Sequence, residues 1–199
     1  MRKLISFIHS TFNGVVTGNP SDDKTNFMAW TQPSILEESS EDLLHTFDTV
    51  DTILLGRNTY EDLMRKWPSV KEWPGVNDVA LRLGEKVNNA AKFVVTSKNE
   101  MELTWGKFAE PKQVTGNIEQ AIRNLKSSDG GDIIIFGSPT LVRSLTDANL
   151  IDEYQILVHP VVVNVGEHLF DNLKERKDFR LIDTRTYDNG ALLIKYVLT

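Results

Sequence analysis

Short apolar runs alternate with longer amphipathic stretches through the first three quarters of this chain, and that alternation leaves few folds open. The runs KLISFIH, DTILLG, KFVVTS and DIIIFGS each have the length of one buried strand. Between them lie PSILEESSEDLLHTF, RNTYEDLMRKW, NIEQAIRNLKS and PTLVRSLTDANL. In the first of these Pro33 suits an opening helical turn, and Leu36, Leu43, Leu44 and Phe47 share one side. In the third, Asn117 is placed to cap a helix whose Ile118, Ala121, Ile122 and Leu125 recur at helical spacing. Strands that alternate with helices assemble into a parallel sheet. The tail is different: DEYQILVHPVVV, FRLIDTRTY and ALLIKYVLT read as strands with no long helix between them. The Asn189-Gly190 pair marks a hairpin. The expected class is therefore α/β, a mixed and mostly parallel sheet flanked by helices, with an antiparallel C-terminal part. The stretch from Trp67 to Ala91, broken at Trp67-Pro68 and Trp73-Pro74, reads as an insertion loop with a weak helical segment. No repeat or linker interrupts the chain, so residues 1–199 are expected to form one domain.

Charge and composition exclude several functions. The net charge of -6 argues against nucleic acid, whose phosphates need a basic face. Cysteine is absent, which removes disulfides, thiolate metal sites and cysteine nucleophiles. The opening MRKLISFIHSTFNG is interrupted by His9 and Ser10 before it reaches the length of a signal peptide, and no stretch matches a membrane span. The expectation is a cytoplasmic protein that does not engage a membrane. The four histidines His9, His45, His159 and His168 lack metal-ligand spacing and read as surface or satisfied core residues, so no metal is expected. There is no G-x-G-x-x-G, no P-loop and no G-x-S-x-G elbow.

Three strand ends share one design instead. ILLGRNT ends a strand in Gly56, Arg57, Asn58 and Thr59; FVVTSK ends one in Thr96, Ser97 and Lys98; IIIFGSPT ends one in Gly137, Ser138, Pro139 and Thr140. In open α/β sheets, ligands bind beyond the carboxyl ends of strands, where helix N-termini offer free N–H groups to anions. Each corner alone also suits an ordinary turn. Three of them, two with a cation, point to an anionic ligand.

The motifs STFNG at Ser10–Gly14, LLGRNTYE at Leu54–Glu61, KFVVTS at Lys92–Ser97, FGSPTLVRSL at Phe136–Leu145 and LIDEYQILVHPVVVNVGEHLF at Leu150–Phe170 run in order along nearly the whole chain. Together they resemble the dihydrofolate reductase superfamily, and most closely its branch containing the reductase domain of bacterial riboflavin biosynthesis. The resemblance implies a three-layer dihydrofolate reductase-like fold, NADPH as hydride donor, a small-molecule pyrimidine- or pterin-type substrate and a homodimer. It implies that Gly56, Arg57, Asn58 and Thr59 hold cofactor phosphates. Thr96, Ser97 and Lys98 would take the ribose 2′-phosphate, and Gly137, Ser138, Pro139, Thr140 and Leu141 the pyrophosphate. The first strand, with Phe7, His9 and Ser10, would wall the substrate together with Trp30, which suits a core position equally. Two positions depart from the family's pattern: Asn13 stands where an aspartate is usual, and Asn164-Val165-Gly166 replaces a G-x-G. The acid that dihydrofolate reductase carries on its first helix has no direct counterpart. Glu37 is the candidate to replace it, a solvated glutamate being the alternative. A protein that binds NADPH or another ligand without turnover fits the same corners.

Overall fold

The computed structural model describes residues 1–17, 30, 31 and 33–199, those from 33 to 36 by their backbone alone. Its strands are β1 (Leu4–Thr11), β2 (Val50–Gly56), β3 (Ala91–Val95), β4 (Lys112–Val114), β5 (Asp132–Phe136), β6 (Glu153–His159), β7 (Phe179–Thr186) and β8 (Leu192–Leu198). The helices are α1 (Pro33–Thr46), α2 (Arg57–Leu63), α3 (Asp78–Asn89), α4 (Ile118–Ser127) and α5 (Pro139–Asp147). All strands join one sheet in the order β4-β3-β2-β5-β1-β6-β8-β7. The pairs from β4 to β6 are parallel, and β8 runs against both β6 and β7. This is the mixed sheet expected from the change of pattern in the tail.

Because side chains alternate across a strand, the sheet has two apolar faces. Ile5, Phe7, Ile53, Leu55 and Leu157 pack with Leu43 and Leu44 of α1, with Phe47 just beyond it, and with Leu83 and Val87 of α3. Leu4, Ile8, Leu54, Ile133 and Ile135 pack on the other side with Ile122 of α4 and Leu141, Val142 and Leu145 of α5. Two buried faces explain why the parallel strands read as continuous apolar runs.

The expected loop from Trp67 to Ala91 is mostly helical. A 3-10 helix spans Trp67–Glu72, and α3 follows. Asn77 caps α3 by accepting from the Ala80 N–H at 2.9 Å. Both prolines lie before that cap, so they end the preceding turns without breaking α3. For the same reason α2 stops at Leu63 and does not extend to Trp67. The expected strand through Val163 stops at His159, because Pro160 cannot donate to a ladder. β6 also lies inside the sheet, between β1 and β8, so it is no open edge; β7 is. The short β4 escaped detection because three residues carry no period. The Asn189-Gly190 hairpin is present, with the Gly190 N–H donating to the Tyr187 carbonyl at 2.9 Å.

Candidate cofactor and substrate site

The three corners converge because β3, β2 and β5 are parallel neighbours whose carboxyl ends share one edge of the sheet. Gly56 lies level with Val95, which puts Thr96, Ser97 and Lys98 beside the start of α2. A polar seam joins the β2 and β5 corners. The Gly56 N–H donates to Ser138 Oγ at 2.6 Å, and that hydroxyl donates to Thr59 Oγ1 at 2.9 Å. A Cβ on Gly56 would stand 2.5 Å from Ser138 Oγ, so only glycine permits this approach. Gly137 and Ser138 both adopt left-handed backbone, with φ of 73° and 57°. They turn the chain over the end of β5 and start α5 with Pro139 in its first turn. Ser138 is committed to the seam and gives α5 no side-chain cap. The first amides of α5, including those of Thr140 and Leu141, therefore form a helix terminus suited to an anion.

The cations border this edge. Arg57 is part-exposed and pairs with Glu61 at 3.0 Å along α2. Asn58 is exposed, as are Ser97 and Lys98, whereas Thr96 is buried and its hydroxyl accepts the Lys98 N–H at 3.1 Å. That bond folds the strand end into a tight polar turn. Arg143 of α5, which the sequence did not single out, lies farther along that helix, paired with Glu167 at 2.7 Å.

One strand beyond β5, the edge changes character. The Gly137 N–H donates to the Phe7 carbonyl at 3.2 Å, tying the β5 corner to β1. Phe7 stacks near Phe136 and meets the His9 ring edge-on, with centroids 5.3 Å apart. His9 Nδ1 lies 3.0 Å from His159 Nε2, across the β1–β6 pair. The Trp30 ring stands edge-on to His159 at 5.2 Å. His159 is fully buried, and its Nδ1 has no partner among the described residues; Trp30 Nε1 is likewise shielded and unpaired among them. His159 is therefore not the satisfied core histidine expected. Burial, and then the neighbouring imidazole, hold His9 down to about 3, and burial takes His159 down to about 4. Ser10 is buried with its hydroxyl on the Thr11 carbonyl at 3.0 Å. Glu37 is exposed on α1 and accepts from Asn77 Nδ2 at 2.9 Å.

Asn13 explains its own departure from the family's aspartate. Its Oδ1 accepts from Thr11 Oγ1 at 2.8 Å while its Nδ2 donates to the Val163 carbonyl at 2.8 Å. A carboxylate could not make the second bond. The altered Asn164-Val165-Gly166 stretch follows directly from that contact and leads into Glu167, whose carbonyl accepts the Val16 N–H at 2.8 Å.

Comparison with known proteins agrees with this architecture. The family described as the RibD C-terminal domain matches residues 2–193. The uncharacterized protein YyaP of Bacillus subtilis (strain 168) is 30% identical over 148 residues, covering 74% of this chain and 73% of that protein. Among solved structures, a putative riboflavin biosynthesis protein from Shewanella sp. PV-4 superposes with a TM-score of 0.71 at 19% identity, over 99% of both chains. The dihydrofolate reductase of Enterococcus faecalis, solved with NADP(H) and the ligand RAB-propyl, gives 0.62 at 15% identity, over 99% of this chain and 96% of that one. The fold is that of the dihydrofolate reductases.

Proposed function

Because the chain belongs to the RibD C-terminal domain family, we propose that it is an NADPH-dependent reductase of a pyrimidine- or pterin-type ring, most like 5-amino-6-(5-phosphoribosylamino)uracil reductase. The observation that carries this reading is the seam of Gly56, Ser138 and Thr59, which fixes two anion-suited corners against each other beside a third. The α5 amides, with Gly137 to Leu141, would hold the pyrophosphate. Arg57, freed from Glu61, would hold a phosphate with Gly56, Asn58 and Thr59, and the Thr96–Lys98 turn would take the 2′-phosphate. NADPH supplies the hydride, and the chain binds and orients both partners. His9, Ser10 and Trp30 would wall the substrate, and Glu37 is the candidate acid.

One observation favours binding without turnover as the second reading: the Glu37 carboxylate is exposed and engaged by Asn77. Following NADPH absorbance with 5-amino-6-(5-phosphoribosylamino)uracil separates the two. Turnover supports the reductase; NADPH binding without turnover supports the binder; failure to bind NADPH removes the reductase and leaves only a binder of another ligand.

The reading includes a cytoplasmic homodimer. Support for the dimer comes from β7, an edge strand that exposes 48% of Leu181 and 42% of Ile182. A sedimentation mass near 22.5 kDa at micromolar concentration would rule the dimer out.

A further inference from the structure

Two solvent-shielded polar atoms without partners among the described residues, His159 Nδ1 and Trp30 Nε1, belong to the same cluster of rings at the carboxyl ends of β1 and β6. An unpaired buried polar group costs about 1–3 kcal/mol, so two in one cluster ask for a purpose. The arrangement fixes where the imidazole protons lie. His159 Nδ1 has no acceptor in reach among the described residues, and a buried N–H without an acceptor is rarer than a bare lone pair. The proton of His159 therefore sits on Nε2, the nitrogen 3.0 Å from His9 Nδ1, and is donated there. His9 accepts at Nδ1 and carries its own proton on Nε2. His159 is closed off and His9 is only part-buried, so His9 is the ring open to a ligand.

We propose that His9 uses its Nε2–H, held in that tautomer by His159, to hydrogen-bond an acceptor oxygen or nitrogen of the substrate. The proposal rests on the reductase reading and deepens it by naming the substrate's chemical class: an uncharged ring that presents carbonyl or imine acceptors. A neutral imidazole is suited to this task. It polarises a C=O or C=N bond as a donor without giving up its proton, and it does not favour an anion as an imidazolium would. Both rings are neutral because burial opposes their charging, which agrees with the proton assignment. No proton leaves either ring in this role. His159 acts only through His9 and is a positioning residue.

The test uses the full chain with NADPH and 5,6-diaminouracil, a neutral pyrimidinedione, as probe. Long-range nitrogen–proton NMR of the imidazoles should show both histidines protonated on Nε2. Adding the probe to the NADPH-saturated protein should move the His9 Nε2 resonance. His9→Phe should weaken probe binding by about tenfold while changing NADPH affinity less than about twofold. His159→Gln, which keeps a donor toward His9, should preserve the His9 tautomer and probe binding; His159→Phe should lose both. Finding His9 protonated on Nδ1 overturns the proposal whether or not any variant folds. So does a probe that leaves the His9 Nε2 resonance unmoved while NADPH binds, and in that case the reductase reading stands. A chain that does not bind NADPH removes the reading on which the proposal rests, and the proposal with it.

Discussion

Across the carboxyl ends of β3, β2 and β5 the polar groups are backbone amides, small hydroxyls and two solvent-facing cations. One strand further, at β1 and β6, they are a part-buried imidazole, a fully buried one and an indole whose N–H is shielded from water. The first region has its hydrogen bonds made, since Ser138 both accepts from Gly56 and donates to Thr59. The second leaves two buried polar atoms unpaired among the described residues and one imidazole part-buried beside them. A region whose bonds are made can be rigid before the ligand arrives, which suits recognition of phosphates that every NADPH molecule shares. A region that holds an imidazole N–H in a fixed tautomer has a bond to give only to a ligand of the right chemistry, which suits choosing a substrate.

The sharpest way to break this contrast is acid. The ordinary imidazole value is 6.5, and the folded values of His9 and His159 lie at about 3 and about 4. The unfolded chain therefore binds more protons than the folded one once the pH falls below 6.5. Stability from these rings is complete above that value and is lost progressively as the pH drops toward 4. At pH 5, each ring should have cost roughly 2 kcal/mol. Urea unfolding at pH 7 and pH 5 measures the loss, and a His9→Gln, His159→Gln double variant should remove most of it. If the double variant loses stability as the wild type does, the imidazoles titrate normally and the ring cluster is not closed to water.

Gly56→Ala strikes the other region. Its added Cβ would lie 2.5 Å from Ser138 Oγ, so the seam must open. The expected cost is about 1–3 kcal/mol of stability, with a parallel loss of NADPH affinity, since both corners shift. Denaturant titration and calorimetry check the two effects. A variant as stable as the wild type would show that the seam is soft and that the corners are not pre-set.

The two regions were also unequally legible in the sequence. The corners could be read because each is local: a strand, a glycine, a hydroxyl and a helix start lie within eight residues in ILLGRNT and IIIFGSPT. The seam between them was not readable, because the partnership of Gly56 and Ser138 depends on β2 and β5 being neighbours. The ring cluster was harder still. His9 and His159 meet across 150 positions, and no spacing rule links them. The Trp-Pro steps misled for a physical reason: prolines there stop one turn and leave the next helix, capped by Asn77, untouched. β6 misled because apolar Val161 to Val163 continue the composition of a strand after Pro160 has ended its ladder.

Arg57 sharpens the comparison at the level of single contacts. Its guanidinium is on Glu61 at 3.0 Å, both side chains more than a third exposed. Such a pair contributes about 0.3–0.5 kcal/mol, so Arg57→Ala should leave the melting point of the cofactor-free protein almost unchanged. NADPH affinity should fall by one to two decades, about 1.5–3 kcal/mol, because a charge-assisted phosphate contact is lost. Calorimetric titration reads this directly. Unchanged affinity would make ILLGRNT a turn whose arginine serves only α2.

The smallest effect belongs to Lys98, and its value lies in direction more than size. The residue is exposed at the end of β3, where the Thr96 hydroxyl folds the turn by accepting its N–H. A contact between an exposed ammonium and a 2′-phosphate is screened by water and salt, so Lys98→Ala should cost NADPH about 1 kcal/mol, roughly a fivefold loss of affinity. NADH carries no 2′-phosphate, so its affinity should not change, and the preference between the two cofactors should narrow by the same factor. The difference should also shrink as salt shortens the Debye length below about 8 Å. Parallel titrations of both cofactors at two salt concentrations decide it. An equal loss for NADH would place Lys98 on a group that both cofactors share, and no loss for either would leave recognition of the 2′-phosphate to Thr96 and Ser97 or to residues outside this turn.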